Sequence, residues 1–219
     1  MGNYKAFVFD MDGVIFDSEK AVIECWKKVA PLYGITDIEK HCNAALGLTA
    51  SETRKIFFER YGDGLPYDEM IGKRRILIRQ MFDEGRVATK PGVTELLSYL
   101  KNNGYKVALA SSTSQTWVRH ELELAGLIGF FDELVCGDMV SRSKPEPDIF
   151  LEAVRRLGVL PEESVAVEDS YNGVRSAKSA GLFTVMVPDL LEPDDEMRKI
   201  ADKITDSLNS VLEWIRDNE

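Results

Sequence analysis

The segment that decides the fold of this chain is residues 7–18, which read FVFDMDGVIFDS. An apolar run ends there in two carboxylates, Asp10 and Asp12, and Gly13 follows at once. Residues i and i+2 of a strand point to the same side, so the two carboxylates converge where the strand stops. Two like charges so close repel each other unless a cation or a proton lies between them. The segment therefore predicts a metal site, acid–base chemistry or both; the alternative is a pair of turn-forming aspartates, because Asp-Gly is a common hairpin signal.

Composition narrows the class of protein. The 219 residues are 44% apolar, which is enough for one domain of ordinary size and a smaller one, and the formal net charge is −10. Such a charge argues against nucleic acid or an anionic membrane surface as a partner. The three cysteines, Cys25, Cys42 and Cys136, match no zinc spacing and predict free thiols. No apolar run reaches bilayer length and no signal peptide precedes the first strand, so we expect a cytoplasmic protein.

Beyond Pro91 the sequence alternates between strand and helix patterns. Strands are predicted at 105–110, 131–136, 165–167 and 183–187, and helices at 94–102, 116–125, 148–157, 172–180 and 207–216. Several of these helices stop at a glycine, which is a good termination signal. Strands that alternate with helices at this spacing predict a parallel sheet in an α/β fold.

Residues 18–88 interrupt this alternation. They predict helices at 19–33, 38–45, 49–61 and 67–84, and no strand. The spacing of their apolar residues suits a small helical bundle with a core that includes Ile56, Phe57, Ile76, Leu77 and Met81. We therefore expect a core domain of residues 1–17 and 88–219 and an inserted helical cap of residues 18–87. Because ligands of parallel sheets bind at the carboxyl ends of the strands, an insertion that follows the first strand would form a lid there.

Polar residues follow four of the predicted strands. They are Asp10 and Asp12 after the first, Ser111 and Ser112 after the second, Lys144 after the third, and Glu168 and Asp169 after the fourth. Each alone has an ordinary explanation, as a helix cap or a surface residue. Together they fall at one edge of one sheet. Carboxylates suit Mg²⁺, a lysine and a hydroxyl suit a phosphoryl group, and a carboxylate can attack phosphorus while a second protonates the leaving oxygen.

These motifs resemble those of the haloacid dehalogenase superfamily of phosphatases and phosphomutases. The likeness rests on the DMDGVIFDS opening, the hydroxyl after the second strand, the KPEPD lysine, the VEDS acidic pair and the helical insertion. Within the superfamily the chain is similar to the β-phosphoglucomutase-like group. The resemblance implies a Rossmann-like parallel core whose first strand is central, flanked by the strands that bear Ser111 and Glu168, plus an α-helical cap. It also implies a cis peptide bond between Lys144 and Pro145.

The resemblance also implies a role for each motif residue. Asp10 matches the nucleophile that becomes an aspartyl phosphate, and Asp12 matches the general acid and base. Lys144 matches the lysine that neutralises nucleophile and phosphate, while Ser111 and the Ser112 amide match the phosphate-binding groups. The Mg²⁺ ligands would be Asp10, the Asp12 carbonyl and Asp169, with Glu168 either a direct ligand or behind one. In the cap, Thr49 and Arg79 are candidates for substrate contacts, although Thr49 equally suits a helix N-cap.

The expected reaction is Mg²⁺-dependent hydrolysis of a small phosphate ester, such as a sugar phosphate. Asp12 favours phosphate-ester chemistry, because dehalogenases and phosphonate-cleaving members of the superfamily lack an acid there. The alternative is a β-phosphoglucomutase, which interconverts β-glucose 1-phosphate and glucose 6-phosphate. Val22 and Ala50 stand where such mutases carry a histidine and an arginine, although Arg54 or Arg79 could replace the arginine. A third alternative is a receiver-type signalling domain, which also combines acids, a hydroxyl and a lysine on a parallel sheet.

Overall fold

A computed structural model describes residues 4–218 and contains a six-stranded, fully parallel sheet. The strands are β1 (Ala6–Phe9), β2 (Lys106–Ser111), β3 (Glu133–Cys136), β4 (Ser164–Glu168), β5 (Phe183–Met186) and β6 (Lys203–Ile204). Their order across the sheet is β3-β2-β1-β4-β5-β6, so β1 is central between β2 and β4. The predicted α/β class and the predicted neighbours of the first strand are confirmed.

The register of the three central strands brings their carboxyl ends level with one another. Phe9 of β1 lies beside Leu109 of β2 and Val167 of β4. The next residue of β1's path, Asp10, therefore stands level with the ends of both neighbours. This register gathers polar residues that are far apart in the sequence at one edge of the sheet.

Ten helices accompany the strands in the described part of the chain. They are α1 (Ser18–Val29), α2 (Ile38–Ala45), α3 (Ala50–Tyr61), α4 (Tyr67–Asp83), α5 (Val93–Asn102), α6 (Gln115–Leu124), α7 (Asp148–Leu157), α8 (Tyr171–Ser179), α9 (Met197–Ile200) and α10 (Leu208–Asp217). Helix α7 has the predicted bounds and ends at Gly158, whose φ of 65° is a left-handed conformation that glycine adopts without strain. None of the described helices has the length and the apolar composition needed to cross a membrane.

The chain forms two compact units. The core unit contains the residues up to Phe16 and those from Thr89 onward, and the insertion unit is Asp17–Ala88. In the core unit, buried residues of the sheet such as Val8 and Ala166 pack against Phe150 of α7. Strands β1 and β4 are buried along their whole length, as expected for parallel strands that are covered on both faces.

The insertion unit consists of α1–α4 around a mainly aromatic core. Trp26, Phe57, Tyr67 and Met70 are buried in one cluster, in which the Phe57 and Tyr67 rings lie 4.7 Å apart between centroids. Aromatic side chains bury large areas, so a few of them suffice for a unit of this size. Whether this unit closes over the edge of the sheet as a lid stays a prediction.

Three expectations from the sequence differ from the structure. Helix α1 ends at Val29 and a short 3₁₀ turn, Ala30–Tyr33, replaces its predicted last turn, because Pro31 cannot donate a helical hydrogen bond. Ile76 was predicted to be a core residue but is 54% exposed, whereas its neighbour Leu77 packs on the aromatic cluster. Two short elements, α9 and β6, were not predicted, because segments of two to four residues are too short to show periodicity.

Candidate active site

The ammonium group of Lys144 lies at the centre of the polar cluster at this edge of the sheet. It donates to the Asp10 carboxylate, to Oε1 of Glu168 at 2.6 Å and to the Ala110 carbonyl at 3.0 Å. These three bonds use all of its donors. It also stands 5.1 Å from the centre of the Phe150 ring. Burial alone would lower the pKa of Lys144, but the charges of Asp10 and Glu168 outweigh burial and raise it, so the group is cationic.

Asp10 directly follows β1, and its amide continues the sheet by donating to the Val167 carbonyl at 3.0 Å. Its carboxyl is buried, and burial raises its pKa to about 8. Lys144 lowers that pKa, whereas the neighbouring charges of Glu168 and Asp12 raise it. The cluster therefore holds more carboxylates than Lys144 alone can neutralise. A further cation beside the cluster would stabilise the ionised form of Asp10, which is the form that a nucleophile needs.

Glu168, the last residue of β4, is fully buried and uses both of its carboxylate oxygens within the protein. Oε1 accepts from Lys144, and Oε2 accepts from the amides of Asp169 and Ser170, each at 2.9 Å, and from the Ser170 hydroxyl at 3.0 Å. A carboxylate with these four bonds is an anchor for Lys144 and for the loop that follows β4. The geometry therefore does not favour the prediction that Glu168 binds a metal directly.

The carboxylate of Asp169 lies against the backbone of the loop after β1. Gly13 has a φ of 82°, and a Cβ atom on it would be only 2.2 Å from Oδ2 of Asp169. Only a glycine leaves room for that carboxylate beside Asp10 and Asp12. Oδ2 of Asp12 in turn accepts from the Thr113 hydroxyl at 3.4 Å.

These donors fit Mg²⁺. The ion keeps several waters and takes one or two carboxylates, together with phosphate oxygens. Asp10, the Asp12 carbonyl and Asp169 could supply such a set, and the raised pKa of Asp10 indicates where positive charge is needed. Between residues 4 and 218, no three His, Cys, Asp or Glu side chains form a group that could hold a metal ion by themselves. A site that depends on waters and substrate oxygens does not require such a cage.

The predicted phosphate-binding residues are the last residue of β2, Ser111, and the first residue of the loop after it, Ser112. Ser111 is buried and its Oγ accepts from the Thr113 amide at 3.1 Å, whereas Ser112 is exposed. Gly137, which follows β3, donates its amide to the Thr113 carbonyl at 3.0 Å. A Cβ on Gly137 would be 2.2 Å from the Ser112 carbonyl oxygen, so the two loops pack backbone to backbone. The loop is therefore held rigidly next to the cluster.

The structure thus brings together Asp10, Asp12, Lys144, Glu168 and Asp169, with the loop of Ser111 and Ser112 beside them. The peptide bond between Lys144 and Pro145 is cis, as the family resemblance implies.

The two predicted substrate-contact residues of the insertion unit are Thr49 and Arg79. Thr49 is the N-cap of α3: its Oγ1 accepts from the Glu52 amide at 3.3 Å, and the Glu52 carboxylate accepts from the Thr49 amide at 2.8 Å. This is the capping box, the alternative left open for Thr49. Arg79 is a partly buried residue of α4. Substrate contacts by Thr49 and Arg79 stay predictions.

Sequence reasoning missed three groups that shape the cluster: the Ala110 carbonyl, the Phe150 ring and Gly173. Gly173 lies in the first turn of α8, and a Cβ on it would be 1.7 Å from Oε1 of Glu168. A glycine inside a predicted helix is a signal that could have identified it. Glycine destabilises a helix, so its presence there indicates that another group packs closely against the backbone. The carbonyl and the ring have no comparable signal in the sequence.

Comparisons with known proteins agree with this geometry. The model of the family "Haloacid dehalogenase-like hydrolase" matches residues 7–187. A relative from Thermotoga maritima, "Phosphorylated carbohydrates phosphatase", is 36% identical over 181 residues, 81% of this chain and 82% of its own length. The "Beta-phosphoglucomutase" of Bacillus subtilis is 30% identical and covers 98% of both chains. The solved structure of CbbY from Rhodobacter sphaeroides in complex with phosphate superposes with a TM-score of 0.77 at 29% identity, over 95% of this chain and 96% of that one.

Proposed function

The chain belongs to the haloacid dehalogenase-like hydrolases, and on this premise we propose that it is a Mg²⁺-dependent phosphatase of a small phosphorylated metabolite, most suitably a sugar phosphate. The observation that carries the proposal is the hydrogen bonding of Lys144 to both Asp10 and Glu168 at the carboxyl end of the central strand. A buried carboxylate that is held by a lysine, with other carboxylates beside it, suits a nucleophile in a site for a cation and a phosphoryl group.

In the first step an oxygen of the Asp10 carboxylate attacks phosphorus while the bond between phosphorus and the ester oxygen breaks. The departing alkoxide takes a proton from the Asp12 carboxyl. The phosphoryl group is then an acyl phosphate on Asp10, and Asp12 is a carboxylate. Lys144, the Ser111 hydroxyl and the Ser112 amide stabilise the negative charge on the phosphoryl oxygens. They thereby keep phosphorus in line with the attacking and departing oxygens.

In the second step Asp12 accepts a proton from a water molecule, whose oxygen attacks phosphorus. The bond from phosphorus to Asp10 breaks, inorganic phosphate leaves, and both carboxyl groups return to their starting states. Mg²⁺ held by Asp10, the Asp12 carbonyl and Asp169 would neutralise charge that Lys144 alone cannot. Enzymes accelerate phosphate-monoester hydrolysis by up to ~10²¹-fold, and general acid catalysis supplies only about 10²–10⁴ of that. Positioning and electrostatic stabilisation must supply most of the remainder.

Hydrolysis is favoured over the mutase reaction by the insertion unit. Val22, at the position of the mutase histidine, packs on the apolar cluster of that unit. Arg54, a possible replacement for the missing arginine, donates to Asp68 through both terminal nitrogens and lies over the rings of Phe58 and Tyr67, 5.2 Å from each. To bind the second phosphate of a bisphosphate, Arg54 would have to exchange its exposed ion pair with Asp68 for that phosphate.

β-Phosphoglucomutase remains the second candidate, because one relative with that name aligns over nearly the whole chain. The receiver-domain alternative is not retained, since the chain belongs to a hydrolase family.

The experiment that tests the proposal is a panel of phosphorylated metabolites with Mg²⁺, in which free phosphate is measured. β-Glucose 1-phosphate with its bisphosphate is included, and glucose 6-phosphate is measured in parallel. We expect repeated release of phosphate from at least one sugar phosphate, and none from the Asp10→Asn variant. Glucose 6-phosphate formed without net release of phosphate would replace the phosphatase by the mutase. The absence of phosphorus on Asp10 with every ester would refute both.

A further inference from the structure

The loop that bears Lys144 is hydrogen-bonded to helix α8. The Ser176 hydroxyl donates to the Glu146 carbonyl at 2.5 Å. Ser176 is fully buried, and Glu146 stands only two residues after Lys144. Serine in the middle of a helix usually offers its hydroxyl to solvent or to its own helix, so a bond to another segment indicates a specific use.

The segment from Lys144 to Glu146 is stiff. Glu146 lies between Pro145 and Pro147. The proline rings hold φ near −65°, so the segment has few torsions with which to absorb a displacement of the Glu146 carbonyl. A shift at that carbonyl is therefore transmitted to the backbone of Lys144.

The same helix also supports the other side of Lys144. Gly173 precedes Ser176 by three residues, and residues at this spacing share one helix face. The Glu168 carboxylate occupies the space above Gly173, where a Cβ would be 1.7 Å from Oε1 and 1.9 Å from the carboxyl carbon. That same Oε1 accepts from Lys144 at 2.6 Å. One face of α8 thus carries both the loop that bears the lysine and the carboxylate that orients it.

We propose that Ser176 is a positioning residue for the reaction: it fixes the Glu146 carbonyl and, through the proline-stiffened loop, the place of the Lys144 ammonium beside Asp10. Gly173 has the complementary role, because its missing side chain lets Glu168 reach Lys144. The inference rests on the proposed phosphatase function for its kinetic consequence, but the placement of Lys144 can be measured without turnover.

The chain offers a matched control for Ser176. Ser164 is also fully buried and its hydroxyl also donates to a backbone carbonyl, that of Leu160 at 2.9 Å. It lies at the start of β4, at the other end of the strand from Glu168. Ser176→Ala and Ser164→Ala therefore remove the same kind of bond, and only the first is connected to Lys144.

The kinetic test compares these two variants with the unmodified protein on the best sugar phosphate, with rates corrected for the folded fraction. Misplacing a catalytic group by about 1 Å can cost on the order of 10²-fold, so for the smaller shift after Ser176→Ala we expect kcat to fall about tenfold with KM changed less than about twofold. Ser164→Ala should keep kcat within about twofold of the unmodified value. Equal kcat in the two variants would overturn the proposal.

The second readout is the ¹H–¹⁵N signal of the Lys144 ammonium, identified by its loss in Lys144→Met. Its three hydrogen bonds should slow exchange of its protons with water. Ser176→Ala and Gly173→Ala should each shift or broaden this signal. Ser164→Ala should not, nor should Gly72→Ala, since a Cβ on that helical glycine meets no atom within 4 Å.

The two readouts separate the two hypotheses. If the protein releases no phosphate from any ester and the signal still moves in Ser176→Ala and Gly173→Ala, the proposed function fails and the positioning role stands. If phosphate is released but the signal and kcat are unchanged in both variants, the positioning role is wrong. Should Ser176→Ala not fold, Ser176→Cys takes its place in both readouts, because a thiol fills the same space and is only a weak donor to the Glu146 carbonyl.

Discussion

The polar cluster around Lys144 in the core unit and the aromatic cluster of the insertion unit differ in how they bury polar side chains. Around Lys144, whose side chain is only 7% exposed, Glu168 and Ser176 are fully buried, and all three are hydrogen-bonded to protein groups. In the insertion unit His41 is 1% exposed, and neither of its ring nitrogens has a hydrogen-bond partner. Its imidazole instead meets the Phe57 ring edge-to-face at 5.2 Å.

This difference indicates what each unit requires. A buried charge is costly unless it is paired, so the core unit can hold Lys144 only because several elements converge on it. These partners keep Lys144 charged inside the protein, but removing so many charges from water costs free energy of folding. The insertion unit is stabilised by ring packing, in which His41 acts as an aromatic residue while it is neutral.

Replacement of Asp10 by Asn should remove activity and leave both units folded. The amide cannot form the acyl phosphate, and loss of a covalent nucleophile lowers kcat on the order of 10⁵-fold or more. Phosphate release measures the loss of activity, and circular dichroism measures whether the variant is folded. A variant that retains appreciable turnover would show that the core cluster is not the reactive site.

Replacement of Asp12 by Asn should separate substrates by their leaving groups. Sugar phosphates need a proton on the departing oxygen, so their kcat should fall about 10²–10⁴-fold. Esters of good leaving groups, such as 4-nitrophenyl phosphate, should lose much less in the first step. Because Asp12 also serves the second step, the comparison uses the rate of the first step, measured as the initial burst of released alcohol. Equal losses of that rate for both classes would contradict the role of Asp12 as the acid.

The core unit also holds an ion pair away from Lys144. Lys90 donates to Oδ1 of Asp189 at 2.6 Å, and the Asp189 side chain is only 4% exposed. Lys90→Met would leave the buried Asp189 carboxylate without its charged partner, which should cost about 3 kcal/mol in the free energy of unfolding.

Chemical denaturation of Lys90→Met and of the double variant Lys90→Met/Asp189→Leu measures this cost. The double variant should recover part of the loss, because it removes the stranded charge. If Lys90→Met is as stable as the unmodified protein, the core unit does not depend on pairing its buried charges, and the contrast between the units fails at that point.

The smallest effect concerns the pH dependence of the insertion unit. Burial lowers the pKa of His41 below its ordinary 6.5, and the nearby Arg60 lowers it further. As the pH falls, His41 therefore takes up a proton in the unfolded chain at a higher pH than in the folded unit. This contribution to stability is complete above about pH 6.5 and is lost as the pH falls from there, by up to about 1.4 kcal/mol per pH unit.

His41→Phe should reduce that loss, because the ring contacts remain and the titrating group is gone. Hydrogen exchange of amides in α2 and α3, followed from pH 7 to pH 5, reports the local stability. The chain's other histidine offers the control, and His120→Gln in α6 should leave the slope in α2 and α3 unchanged. A slope that persists in His41→Phe would assign the effect to another group.

The sequence predicts some elements well and others poorly, for physical reasons. Helix α7 was predicted at its observed bounds because an apolar stripe and a terminal glycine both mark it. The end of α1 was misplaced because its apolar pattern continues past Pro31, whereas the backbone cannot. Ile76 was misassigned because spacing alone does not tell which side of a helix faces a small core.

The candidate site shows the same limit. The positions of Asp10, Asp12, Lys144 and Asp169 follow from motifs at strand ends. The use of both Glu168 oxygens by protein groups does not, because it depends on the path of the loop after β4 and on the room above Gly173.

Local patterns along the chain thus suffice to determine the parallel α/β core, the helical insertion and the family of acids at the sheet edge, since strand and helix periods and turn residues act over a few positions. Only the tertiary structure decided that the Lys144 ammonium also donates to Glu168 and to the Ala110 carbonyl, so that all three of its donors are used within the protein. It also decided that His41 is buried without a polar partner. Such outcomes depend on which side chains meet after the chain has packed, and no short-range pattern encodes that.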